Sequence, residues 1–149
     1  MTDPAVLDTN IWLDWLVFDD PGITGLRAAV ARGSIALLAS PWMRDELESV
    51  LARPLIRTRL PEAPARIALF DSLVSIRDAA PPCRLVCTDP ADQAFIDLAC
   101  HHRARWLITK DRALLRLARA ARARHSVVVL TPAGFAAAYN PPFPDPRES

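Results

Sequence analysis

Four carboxylates have the type and placement to do chemistry, three of them where a strand hands over to a helix or a helix begins. Asp8 ends the apolar run AVL in AVLDTNIWLDWL, Glu46 lies in RDELESVLARP, Asp92 in TDPADQAFIDLAC, and Asp111 follows WLIT and a lysine. Acids gathered at one place repel each other and resist ionisation unless a cation joins them. Oxygen-only donor sets suit hard divalent ions such as Mg2+ or Mn2+, which keep several of their waters. Such an ion acidifies water and stabilises charge on a phosphoryl oxygen, which is the chemistry of phosphodiester hydrolysis. Capping competes with this reading, because Asp, Thr and Asn all cap helices well. Asp8 and Asp111 stand where N-caps stand, and Asp89 followed by Pro90 makes Asp92 a candidate capping-box acid. Glu46 lies too deep in its helix to cap.

The elements that must hold these acids follow from hydrophobic spacing and turn chemistry. Strands are expected at about 5–8, 35–38, 106–109 and 127–130, with 85–87 as a short strand or extended lead-in. Helices are expected at about 10–17, 23–32, 41–53, 63–77, 90–103, 112–123 and 132–139. Gly33 stops the second helix, and Ser40-Pro41 opens the third as N-cap and first-turn proline. Short continuous apolar strands alternating with helices predict an α/β fold with a mostly parallel sheet covered on both faces. Carboxyl edges of such sheets carry the sites, which is where Asp8 and Asp111 fall.

The chain has 149 residues, the size of one domain, expected to span 1–139 and to leave a proline-rich, disordered tail at 140–149. Nothing before Asp8 resembles a signal peptide, and no apolar run approaches the roughly 20 residues of a membrane span. Three cysteines, an odd and sparse number, fit a reducing cytoplasm. Net charge is +1, yet residues 103–124 carry eight Lys or Arg against Asp111 alone, which suggests an anionic partner. Arg112, Arg116 and Arg119 fall on one helical stripe able to hold RNA phosphates, or simply to face solvent. Arg53, Arg57 and Arg59 form a second such cluster. Cys83, Cys87 and Cys100 beside His101 and His102 have a spacing zinc sites use, but Cys100 sits on an amphipathic helix where free cysteine packs as core. Trp12, Trp15, Trp42 and Trp106 read as core or interface rather than as platforms for bases.

Together LDTN, E-L-x-x-V-L, D-x-x-F-I-x-x-A and L-I-T-K-D resemble a PIN domain over about residues 5–135. The chain is most similar to the VapC-like toxins of bacterial toxin–antitoxin pairs, also in RPLIR, D-P-x-D and the closing VVVLTPAGFAAAY. The resemblance implies a three-layer α/β/α sandwich and a Mg2+- or Mn2+-dependent ribonuclease. Asp8, Glu46, Asp92 and Asp111 would be its metal-holding, catalytic acids, with Thr9, Asn10, Thr109 and Asp89 around them. It also implies an RNA substrate, a homodimer and a small antitoxin. Two other readings stand beside it. One is a haloacid-dehalogenase-like phosphatase with Asp8 as nucleophile, which wants an Asp where Asn10 stands. The other is a PIN scaffold that binds a partner without catalysis.

Overall fold

The computed structural model describes residues 2–60 and 62–139; the expected tail at 140–149 lies outside them. The elements run β1 (Asp3–Leu7), α1 (Thr9–Leu16), α2 (Thr24–Ala31), β2 (Ile35–Ala39), α3 (Pro41–Leu51), α4 (Pro54–Arg59) and α5 (Ala63–Leu73). They continue with β3 (Val74–Ile76), α6 (Gln93–His101), β4 (Trp106–Ile108), α7 (Arg112–Leu115), α8 (Ala118–His125), β5 (Val128–Leu130) and α9 (Pro132–Tyr139). Short 3-10 turns at Pro21–Ile23 and Pro90–Asp92 precede α2 and α6.

All four strand pairings are parallel, in the order β3-β2-β1-β4-β5. Helices cover both faces in a three-layer α/β/α sandwich. α2 and α9 pack on each other and on β2 and β5, while α3 packs against α1, α4 and α5. The core is continuous through Val6, Leu37, Phe70, Ile96 and Leu107, all nearly inaccessible. Trp12, Trp15 and Trp106 belong to it, whereas Trp42 is 44% exposed.

The sheet order sets where a site can form. From the central β1 the chain winds outward through β2 and β3, then returns to lay β4 on the other side of β1. Strand order therefore reverses between β1 and β4, and the crevice beyond their carboxyl ends is where open α/β sheets bind ligands. Asp8 leaves β1 there and Thr109 leaves β4.

Local chemistry explains most boundaries. Asp8 caps α1, with Oδ1 accepting from Ile11 N at 3.0 Å, and Ser40 caps α3. Gly33, at φ +76°, ends α2 in the left-handed conformation that favours glycine. Pro54 follows the end of α3 as expected, and also opens the short α4 as its first residue.

Two expectations are corrected, and the alternative left open at 85–87 is resolved in favour of the extended lead-in. The helix expected over 63–77 ends at Leu73, and Val74–Ile76 forms edge strand β3, paired Leu37↔Val74 and Ala39↔Ile76. β-branched Val74 and Ile76 favour the pleated edge over another helical turn. Residues 85–87 are not a strand. Their alternation is strand-like, with Leu85 and Cys87 buried and Val86 exposed, but side chains of α6 satisfy the backbone instead. Gln93 Nε2 donates to Leu85 O at 2.8 Å, Gln93 Oε1 accepts from Cys87 N at 2.8 Å, and Asp97 Oδ1 accepts from Cys83 N at 2.9 Å. Finally, the helix expected over 112–123 breaks at Leu117 into α7 and α8. Arg112, Arg116 and Arg119 are exposed; the first two belong to α7 and its C-cap, and Arg119 belongs to α8.

Candidate active site

A cleft of about 270 Å3 opens at the β1–β4 reversal. Asp8, Glu46, Asp89, Asp92 and Asp111 all line it, with Thr9, Asn10 and Arg53. The four acids singled out in the sequence are thus brought together, from the ends of β1 and β4, the middle of α3 and the start of α6. Thr109 lies beneath them, fully buried. Arg112, Arg116 and Arg119 do not line the cleft; Arg53 does.

Capping and convergence turn out to be compatible, because a carboxylate has two oxygens. Asp8 is only 3% exposed. Its Oδ1 caps α1 and its Oδ2 accepts from Thr109 Oγ1. The same Thr109 oxygen accepts from Asp111 N at 2.9 Å. A single hydroxyl therefore ties the end of β1 to the turn that carries Asp111. Asp111 Oδ2 accepts from Leu114 N at 3.1 Å and caps α7. Thr9 Oγ1 donates to Glu46 Oε2 at 2.8 Å, fixing that carboxylate across the cleft.

Asp89 and Asp92, three residues apart, play different parts. Asp89 Oδ1 caps the 3-10 turn through Ala91 N at 3.0 Å. Asp92 makes no capping hydrogen bond. A capping-box acid would reach back to the Asp89 backbone; Asp92 instead meets Asp111, and its carboxyl is pushed up to about 7. Burial is the main cause, followed by the hydrogen bond to Asp111 and the charges of Asp111, Asp89 and Asp8. Asp8 is raised as well, chiefly by burial and against the lowering hydrogen bond from Thr109.

Among the described residues none of these five acids has a salt-bridge partner. Lys110, between Thr109 and Asp111, is directed away to Asp14 on α1. Arg44 is taken by Glu48 and Asp71. Nor do three His, Cys, Asp or Glu side chains among the described residues form a ready-made metal cage. Oxygens of Asp8, Glu46 and Asp111 are engaged by protein donors, so a compact cage is not preorganised. The donor set still fits a hard ion that keeps most of its waters and takes only one or two carboxylates directly. An excess of negative charge that forces one acid toward neutrality is what such an ion relieves.

The Lys110–Asp14 pair has a consequence for stability. The Asp14 side chain is 10% exposed and the Lys110 side chain 48%. Lys110→Met leaves a largely buried carboxylate unpaired, at a cost of about 1–3 kcal/mol. The urea midpoint is expected to fall at unchanged slope, and Asp14→Asn in the same chain to recover most of the loss. An unchanged midpoint would show the pair to be surface decoration.

A family model of the PIN domain matches residues 4–113, from β1 to the start of α7. Among solved structures, the chain is similar to VapBC2 from Rickettsia felis bound to a DNA fragment from its promoter. The TM-score is 0.61 at 14% identity, covering 86% of this chain and 98% of that one, a likeness of fold. No curated protein matches. PIN domains are generally nucleases that use divalent metals. With the match running through the strands and helices that carry all four acids, the chain belongs to the PIN-domain family.

Proposed function

We propose that this PIN domain is a Mg2+- or Mn2+-dependent endoribonuclease and the toxin of a toxin–antitoxin pair. The observation that carries the proposal is the gathering of five carboxylates, none with a salt-bridge partner among the described residues, in the cleft at the β1–β4 reversal. Asp8, Glu46, Asp92 and Asp111 would hold the ion. When bound, the ion acidifies water and neutralises charge on the phosphoryl group under attack.

The chain's own residues do the rest. Thr109 orients Asp8 and the Asp111 turn through one hydroxyl. Thr9 orients Glu46, a cleft-lining residue, by a hydrogen bond to one of its two carboxylate oxygens. Asp92, near neutrality without a cation, holds or releases a proton at its carboxyl around pH 7. Asp89 caps the 3-10 turn and sets the start of α6. Attack in line with departure of the 3′-oxygen leaves 5′-phosphate and 3′-hydroxyl ends.

A phosphatase using Asp8 as nucleophile is disfavoured by geometry. Both Asp8 oxygens are engaged, the side chain is buried, and Asn10 stands where a second Asp is wanted. Incubating the purified protein with Mn2+ on RNA and on a small phosphomonoester separates these readings. Cleaved RNA with 5′-phosphate ends supports the nuclease. Turnover of the phosphomonoester alone would replace it, and neither activity would leave a partner-binding scaffold.

The fold likeness to a VapBC complex supports an antitoxin partner; a small antitoxin that blocks the cleft and a homodimer belong to the same proposal. A cytoplasmic setting accords with three free thiols. Among the described residues no helix is long and apolar enough to cross a membrane.

The basic residues of α7 and α8 extend the RNA-binding reading. Arg112, Arg116 and Arg119 are exposed and form no salt bridge among the described residues. Arg112→Glu with Arg116→Glu is expected to weaken RNA binding and to lower the slope of log affinity against log salt by about 2. An unchanged slope would assign these arginines to solvated surface.

A further inference from the structure

The only tryptophan held out of the core among the described residues is Trp42, and its position is not that of a stray surface residue. It sits in the first turn of α3, with Glu46 one turn further on and Val50 one turn beyond that. Residues four apart lie on one helical row. Glu46 and Val50 line the cleft, and so does Arg53, which follows directly after the helix. Trp42 stands next to it, its ring 6.0 Å from that of Phe95, a cleft-lining residue met edge-on at 69°. Phe95 itself is buried and holds the indole in place, yet 44% of Trp42 remains accessible. From Trp42 to Val50 the row covers roughly 12 Å along the helix axis.

One row of α3 therefore carries, in order, an exposed aromatic ring packed edge-on against Phe95, a carboxylate of the acidic cluster and the buried Val50, and the turn into α4 adds the guanidinium of Arg53. Arg53 makes no salt bridge among the described residues, although acids line the same cleft. Proteins that hold single-stranded nucleic acid combine aromatic rings, on which bases stack, with cations that follow the phosphates. A duplex keeps its bases stacked on each other and offers none to a ring at a cleft edge.

We propose that Trp42 on α3 stacks one unpaired base of the RNA and that Arg53, at the turn from α3 into α4, meets a backbone phosphate. The strand then lies across Glu46. This proposal rests on the ribonuclease reading and adds to it the two side chains that meet the substrate, Trp42 for a base and Arg53 for a phosphate. Trp42 is a binding residue here and takes no part in the chemistry.

The test uses the full chain carrying Asp92→Asn, with Mg2+ present, and fluorescence anisotropy of two labelled strands. One is a short single-stranded RNA; the other has the same sugar–phosphate backbone without bases. The base-bearing strand is expected to bind more tightly. Adding Trp42→Ala should weaken it roughly 5- to 150-fold and leave the abasic strand unchanged. Trp42→Phe should fall between. Arg53→Ala should weaken both strands and reduce the salt slope by about 1. A preference for bases that survives Trp42→Ala, or no preference at the outset, would overturn the proposal. RNA cleavage by the unmutated protein is scored separately. Cleavage without Trp42-dependent binding defeats only the proposal, and Trp42-dependent binding without cleavage defeats only the nuclease reading.

Discussion

Asp92→Asn is expected to lower Mn2+-dependent RNA cleavage by about two orders of magnitude or more while leaving the fold at least as stable. The substitution keeps shape and removes charge. Asp92 caps nothing, so no helix start is lost. Its carboxyl is forced up to about 7 by burial and by Asp111, Asp89 and Asp8, so an amide relieves repulsion in the folded state. The cleavage loss follows if this carboxylate helps hold the ion and place the attacking water. Asp8→Asn is expected to be at least as damaging, for a second reason. An amide nitrogen facing Thr109 Oγ1 competes with the donor already there, disturbing the hydroxyl that accepts from Asp111 N. Asp89→Asn is the control, because Asn caps about as well as Asp. Denaturant midpoints and initial rates on one RNA measure all three. Near-normal cleavage by Asp92→Asn with an inactive Asp89→Asn would move the site to Asp89.

The second large effect is a stability that runs opposite ways with pH, depending on the divalent ion. Asp92 has a raised pKa in the folded chain, about 7 against an ordinary 3.8. Between those values the folded state holds a proton that the unfolded state has released. Stability in chelator therefore declines as pH rises from about 4 through about 7. Partial exposure screens the effect to about 1–2 kcal/mol. Asp8 is raised too and acts in the same direction. Asp71 acts oppositely, since Arg44 holds it down, but its contribution is lost only as pH falls toward and below the ordinary carboxylate range. With millimolar Mn2+ the trend should reverse. The ion needs deprotonated carboxylates, binds the folded chain preferentially, and gains affinity as Asp92 loses its proton. Melting temperatures at pH 5 and pH 8, in chelator and in Mn2+, show this as crossed lines. Four equal values would mean that the acids act only as caps.

What could be read from the sequence divides along physical lines. β1, β2, β4 and β5 were legible because each apolar run meets a capping or turn residue, as at Leu7-Asp8 and Ala39-Ser40. β3 was hidden, since Val74 continues the apolar spacing of Phe70 and Leu73 and only pairing with β2 makes it a strand. Residues 85–87 read equally as a strand or an extended lead-in, and the structure has the lead-in. Their alternation is that of a strand, but their hydrogen-bond partner on α6 is Gln93, whose role no local pattern reveals. The convergence of Asp8, Glu46, Asp92 and Asp111 could be anticipated because three of them stand at element ends on one rim. Arg53 was grouped with Arg57 and Arg59, and its place beside Glu46 depends on how the chain turns from α3 into α4. The spacing of Arg112, Arg116 and Arg119 could not show that the helix breaks at Leu117 and puts Arg119 on α8.

Direct titration of Mn2+ into the metal-free protein, followed by the electron paramagnetic resonance of the free ion, tests the acidic cleft as a metal site without any need for substrate. Saturable binding to the unmutated protein, stronger at pH 8 than at pH 6 and lost in both Asp8→Asn and Asp92→Asn, is the outcome expected. Equal weak binding by all three proteins, or none, would mean that the five carboxylates do not hold an ion.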